Sequence, residues 1–277
     1  MSKQLKYYLS TIADVDYGWN EEEESEIIHY VHHTGPVAKD FGLGLELAEF
    51  CISENCENPA QIMEFFEANA KDYTNDLVFH APYNELIPHA IEPLVAKAAY
   101  DRYSQAYDMC EKYGCSKMIV HPNFIPTMYY ESWFVPKQVE FWTKFLEEHP
   151  GKCIITLENV MEDHPSLIKD IVAKADNPRL RMCLDVGHAN LHPVKPMDWI
   201  KECCEYISHM HIHNNNGPVS EGNASLGDKH RALGDGIMDM EALLHTADEL
   251  CPEGLTAAVE SYAIEDSCSW LKEHDFI

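Results

Sequence analysis

Eight short apolar or β-branched runs recur along the chain, with room for a helix between neighbours, and this alternation limits the possible folds more than any other feature. They are Lys6–Thr11, Leu43–Phe50, Asp76–His80, Lys117–His121, Cys153–Glu158, Leu180–Asp185, Ile207–His213 and Leu255–Glu260. Runs this far apart suit parallel strands joined by helical crossovers rather than hairpins. Amphipathic stretches fill the intervals: Gln61–Ala70 carries Ile62, Phe65 and Phe66 at helical spacing, Glu92–Tyr113 is rich in Ala and Tyr, and Val139–Glu148 carries Phe141, Trp142 and Phe145. Asn58-Pro59 and His149-Pro150-Gly151 supply turns where this scheme needs them. Six or seven units would leave an open doubly wound sheet equally open. Eight predict an α/β fold, a closed (β/α)8 TIM barrel. The 277 residues contain no Pro/Gly/Ser-rich linker and suit one domain over 1–277, since such a barrel takes roughly 250 residues.

Charge narrows the partners. Twenty Lys and Arg face 47 Asp and Glu, a formal charge of -27. That field repels a nucleic-acid duplex, whose binding rests on clustered Lys and Arg. A small-molecule substrate is expected instead. The acidic run Glu21–Glu24 reads as a solvated face near a helix start, where carboxylates suit the dipole. The start of the chain has no signal-peptide core, and no segment approaches the roughly 20 apolar residues of a membrane span. Ten scattered cysteines without a CxxC pair suggest buried, reduced thiols in a cytoplasmic protein.

Nine residues able to bind metal sit at or just past the ends of these runs. They are His80 in VFHAPY, His121 in IVHPNF, Glu158 in ITLENV, Asp185 and His188 in CLDVGH, His211 in HMHIH, Asp228 and His230 in GDKHRALGDG, and Glu260 in AAVESY. Strand ends on one rim are where α/β folds build their sites. In HMHIH, residues 209, 211 and 213 share a face but not a depth; His211 is the expected ligand, with His209 deeper and His213 nearer the loop. The Asn- and Gly-rich stretch from Asn214 to Asp235 holds two candidate ligands, so it reads as an active-site loop. Mixed imidazole and carboxylate donors suit zinc or manganese, and the lack of cysteine argues against a structural zinc site. The other histidines outside this pattern are assigned no chemistry.

In this order the segments FHAPY, VHPNF, LEN, CLDVGH, HMHIH, DKH and VES resemble the xylose isomerase-like barrel superfamily, over nearly the whole chain. One branch, endonuclease IV, carries a trinuclear zinc site on such segments. That resemblance implies ligation by all nine residues. A second branch, the ketose 3-epimerases and related sugar isomerases, resembles the subset Glu158, Asp185, His211 and Glu260, which there hold one divalent metal. There the two glutamates exchange the substrate proton, and the residue matching His188 contacts the sugar. HMHIHNNNG followed by DKHRALGDG also resembles proteins described as sugar phosphate isomerases or epimerases. The chain departs from the ketose epimerases in lacking an Arg soon after HMHIH.

These resemblances imply one to three divalent ions per chain and two chemistries. In the first, a metal-dependent isomerase or epimerase acts on a small sugar, sugar phosphate or polyol, with Glu158, Glu260 and His188 as catalytic groups and proton transfer at carbon. The alternative is an endonuclease IV-like, multinuclear-zinc phosphoesterase. Complete ligation favours the second, and charge disfavours a nuclease. A small polyol or sugar substrate fits both the charge and the barrel mouth, so the first is the expectation. A non-catalytic metal-binding barrel is the third possibility, made less attractive by the paired glutamates.

Overall fold

A computed structural model describes residues 5–20, 25–30, 33–68, 73–74, 76–219 and 227–277. Its strands are β1 (Lys6–Ser10), β2 (Val15–Asn20), β3 (Ser25–Tyr30), β4 (Gly44–Leu47), β5 (Leu77–His80), β6 (Lys117–Val120), β7 (Ile154–Glu158), β8 (Leu180–Asp185), β9 (Ile207–Ile212) and β10 (Thr256–Val259). Eight of them close into a parallel barrel in the order β1-β10-β9-β8-β7-β6-β5-β4. All eight expected strands are present, and the fold is the (β/α)8 TIM barrel that their number implied.

The α-helices are α1 (Thr34–Phe41), α2 (Ser53–Glu57), α3 (Ala60–Ala68), α4 (Pro93–Lys112), α5 (Glu131–Glu148), α6 (Ser166–Ala175), α7 (Val186–Leu191), α8 (Pro196–Cys203), α9 (Met240–Leu250) and α10 (Ile264–Glu273). Local chemistry sets their ends. At α4, Pro93 takes the first turn while the Glu92 side chain accepts the Leu94 N–H at 3.1 Å. None of the described helices is long and apolar enough to cross a membrane.

Three segments depart from expectation. The run Leu43–Phe50 is strand only over Gly44–Leu47, and Glu49–Cys51 turns into a 3-10 helix. Helix α5 starts at Glu131, well before Val139, and runs through Pro136, whose ring leaves the Ser132 carbonyl without its N–H partner four residues on. Glu21–Glu24 lie outside the described residues, but β2 and β3 flank them as an antiparallel pair, so the neighbouring structure is strand and not helix.

Apolar packing lies mainly between barrel and helices, with Trp142, Trp199, Phe134 and Phe145 fully buried there. Inside the barrel the apolar cluster is small: Tyr8, Val78, Ile119, Cys183 and Ala258. The rest of the interior is polar. Lys117 donates to the Ser208 carbonyl and to Thr256 Oγ1, and burial pushes its ammonium down to about 7. Nine of the ten cysteines are buried and Cys204 is half-buried.

Candidate metal centre

Side chains alternate across a strand, so one inward residue fixes the next but one. The register pairs Glu46 with Val78, His80 with Ile119, Ile119 with Thr156, Glu158 with Cys183, Asp185 with His211, and His211 with Ala258. Two residues along from Ile119 and Ala258 come His121 and Glu260. The expected strand-end residues therefore converge on one rim, and all nine are brought together around a cavity of about 310 Å³ or directly beneath it.

At the base, Glu158, Asp185, His211 and Glu260 offer donor atoms that all lie within 4.8 Å of one another. His211 Nδ1 is 3.3 Å from Glu158, 3.7 Å from Asp185 and 3.4 Å from Glu260, and it makes no hydrogen bond. Its other nitrogen, Nε2, is 3.3 Å from Glu46. Donation of Nε2–H to that carboxylate leaves the Nδ1 lone pair facing three carboxylates. A buried imidazole lone pair opposed by carboxylate oxygens is stable only with a proton or a cation among them. The donor set fits a divalent ion.

The upper rim repeats the pattern. His80 gives Nδ1–H to the Ala81 carbonyl at 2.9 Å, His188 to Asn159 at 2.9 Å, and His230 to Glu260 at 2.6 Å. Each Nε2 then faces a carboxylate: His80 is 3.4 Å from Glu158, and His188 and His230 are 3.1 and 3.3 Å from Asp228. His121 Nε2 lies 3.2 Å from Glu158, beneath the stacked ring of Tyr83. Asn159 and Asp185 exchange two 2.9 Å hydrogen bonds, and Asp185 also caps α7 by accepting the His188 N–H at 2.6 Å. His230 itself adopts a left-handed backbone, φ 42°, a strain that collects at functional sites.

Burial opposes every charge here, and the neighbours decide the outcome. Despite burial, the imidazoles of His211 and His121 hold Glu158 well below the carboxylate range. His188 and His213 lower Asp185, and His188 and His230 lower Asp228. Burial prevails at Glu260, whose carboxyl is raised. His188 and His211 are raised well above the usual imidazole value, and His230 to about 9, by the surrounding carboxylates. Burial lowers His121.

Sequence reasoning did not single out Glu46, and it placed His213 nearer the loop without a role. An acidic residue in the apolar run LGLELAEF was a usable signal for Glu46. It binds His209 as well, at 3.0 Å, while His209 reaches Thr256 at 2.5 Å; this is the deeper position expected of His209. His213 Nε2 lies 3.2 Å from Asp185 and 3.9 Å from Asp228.

Residues 42–274 match the model of the family described as xylose isomerase-like TIM barrel. The chain belongs to that family. A protein of Methanocaldococcus jannaschii, the uncharacterised MJ1311, is 25% identical over 228 residues, 78% of this chain and 74% of that one. A probable endonuclease 4 of Mesomycoplasma hyopneumoniae is 23% identical over 182 residues, spanning 61% of this chain and 63% of its own length. Among solved structures, a D-tagatose 3-epimerase-like protein has a TM-score of 0.70 at 21% identity, covering 98% of this chain and 97% of its own. The TTHB071 protein of Thermus thermophilus, soaked with zinc chloride, has a TM-score of 0.68 at 18% identity, with the same coverages. At these identities the structures establish a shared fold. Members and neighbours of the family are mostly enzymes, including sugar epimerases and isomerases.

Proposed function

We propose that the protein is a metal-dependent isomerase or epimerase that moves a proton at carbon in a small sugar or polyol-derived carbonyl compound. The observation that carries this reading is the pair Glu158 and Glu260, which line one small cavity and share His211 Nδ1 from different strands. An ion held by Glu158, Asp185, His211 and Glu260 supplies, when bound, Lewis-acid polarisation of a carbonyl. The chain's own groups do the rest. One glutamate takes the proton from carbon and the other returns it from a different side. Glu46 orients His211, and Asn159 holds Asp185. The cavity is at the small end of ligand sites, which favours a monosaccharide-sized substrate. No Lys or Arg is among its described lining residues, which favours an unphosphorylated one. The likeness to a D-tagatose 3-epimerase-like protein supports the same reading.

The test is a panel of sugars incubated with zinc- or manganese-loaded protein in deuterated water. Deuterium should enter at carbon even where no net turnover is visible, and Glu260→Gln should abolish it. Asp185→Asn should lower the metal content. A panel that stays unlabelled, with phosphodiesters cleaved instead, would transfer the function to the second reading, a multinuclear zinc phosphoesterase. The likeness to endonuclease 4 and the further donors His80, His121, His188, Asp228 and His230, enough for two more ions, are what favour it.

A further inference from the structure

The upper rim holds one more donor than the resemblance carried. His213 stands one residue beyond β9, in line with His209 and His211, and is fully buried. Its ring is stacked on His230, centroids 4.0 Å apart and planes within 11°. Gly187 makes the seat. A Cβ at that position would lie 1.9 Å from His213 Cε1 and 2.3 Å from Nε2, so the imidazole rests directly on the backbone of α7. From there Nε2 lies 3.9 Å from Asp228 Oδ1, a buried oxygen with no hydrogen-bond partner. The other oxygen, Oδ2, faces His188 and His230 at 3.1 and 3.3 Å. Four donors on a tetrahedral ion, with bonds of about 2.0–2.1 Å, lie about 3.3–3.4 Å apart. The observed separations bracket that value, and all four groups offer an atom within 4.8 Å of the others.

We propose that His213 completes a second divalent-metal site with His188, Asp228 and His230, and that its four side-chain donors close this site to substrate. The proposal rests on reading the rim as a metal centre. It deepens that reading by separating two roles. A tetrahedral ion with four protein donors, three of them imidazoles, has no open position, so it neither activates water nor binds substrate oxygen. The carboxylate-rich set of Glu158, Asp185, His211 and Glu260 suits an ion of higher coordination number, which keeps positions for substrate oxygens. Three imidazoles and one carboxylate suit zinc, and the fourth side-chain donor closes the site without the cysteines whose lack argued, in the sequence alone, against a structural zinc. The ion instead ties the loop bearing Asp228 and His230 to β8 and β9. It also takes His188 as a ligand rather than a substrate contact. One working metal then remains, at Glu158, Asp185, His211 and Glu260, in keeping with an isomerase more than with a multi-metal hydrolase.

The competing role for His213 is a plain hydrogen bond to Asp185, 3.2 Å away. Titrating the chelator-stripped protein with cobalt(II) separates the two. Wild type should take up two equivalents, one giving the intense visible band of a four-coordinate ion. His213→Gln should bind that equivalent at least about tenfold more weakly and lose the band, while keeping the other. His230→Gln, in the loop rather than beside the strand, should give the same loss. Retention of both equivalents and of the band in either folded variant overturns the site, whether or not the other variant folds. A wild type that binds only one equivalent, lost in Asp185→Asn, overturns the second site and leaves the proposed function standing. Two equivalents without deuterium exchange on any sugar support the site and reject the function.

Discussion

At the residue scale, the tautomers of His80, His188, His211 and His230 follow from what the far nitrogen touches. Backbone carbonyls take Nδ1–H of His80, His188 and His230, and the Glu46 carboxylate reverses the choice at His211. Such seating depends on small neighbours. Gly187→Ala should lower stability by about 1–3 kcal/mol, because overpacking against the His213 ring outweighs a helix-propensity gain of about 1 kcal/mol. A urea midpoint equal to wild type would show that the ring is not held there. A second residue-scale prediction concerns Glu49, buried just under the rim. Burial pushes its carboxyl up from 4.5 to about 8. A neutral Glu49 donates to Thr11 Oγ1 at 2.5 Å, while that hydroxyl accepts Ala48 N–H and donates to the Glu46 carbonyl. The folded value exceeds the unfolded one, so this contribution to stability is full below pH 4.5 and is lost as pH rises through about 8. Denaturation midpoints should fall from pH 6 to pH 9, and Glu49→Gln should flatten the slope. An unaltered slope in the variant would assign the proton elsewhere.

At the scale of elements, the loop after β9 is held at both ends. Asn214 and Arg231 exchange backbone hydrogen bonds of 3.1 and 3.0 Å. The Asn214 side chain donates to Leu233 and Met238 carbonyls and accepts the Asn215 and Met238 N–H groups. Gly236 packs so closely that a Cβ there would meet Asn214 Oδ1 at 2.1 Å. Asn214→Ala should therefore cost about 1–3 kcal/mol in backbone groups left unpaired. It should also speed proteolysis between residues 214 and 235 without loss of helical circular dichroism. Wild-type resistance to protease would mean that Asn214 does not anchor the loop. The register shift between β8 and β9, at Met182 and Cys183, accompanies the Cys183–His209 pairing that precedes Asp185 and His211. Bulges next to sites re-aim side chains in this way.

At the scale of the whole molecule, a charge of -27 surrounds a cavity of about 310 Å³. Long-range repulsion acts against a duplex. Protein at micromolar concentration should not shift a duplex containing an abasic site in physiological salt. Tight retention with a steep salt dependence would restore the repair-type phosphoesterase reading.

The eight barrel strands and their parallel order were legible in the sequence, because apolar runs spaced for helical crossovers are a local property; the antiparallel pair β2 and β3 was not. His80, His121, Glu158, Asp185 and Glu260 could be read as rim residues for the same reason. Glu46 and His213 were not legible as partners of the site. Glu46 meets His211 across 165 positions, and His213 meets Asp185 across 28, only once the barrel has closed. Closure also decided which nitrogen of each imidazole faces inward, since that depends on carbonyls and carboxylates supplied by other strands. Residue type and spacing thus determined which groups reach the rim. Tertiary packing decided which of them meet, because hydrogen bonds and metal-ligand distances act over a few ångströms in space, whatever the separation along the chain.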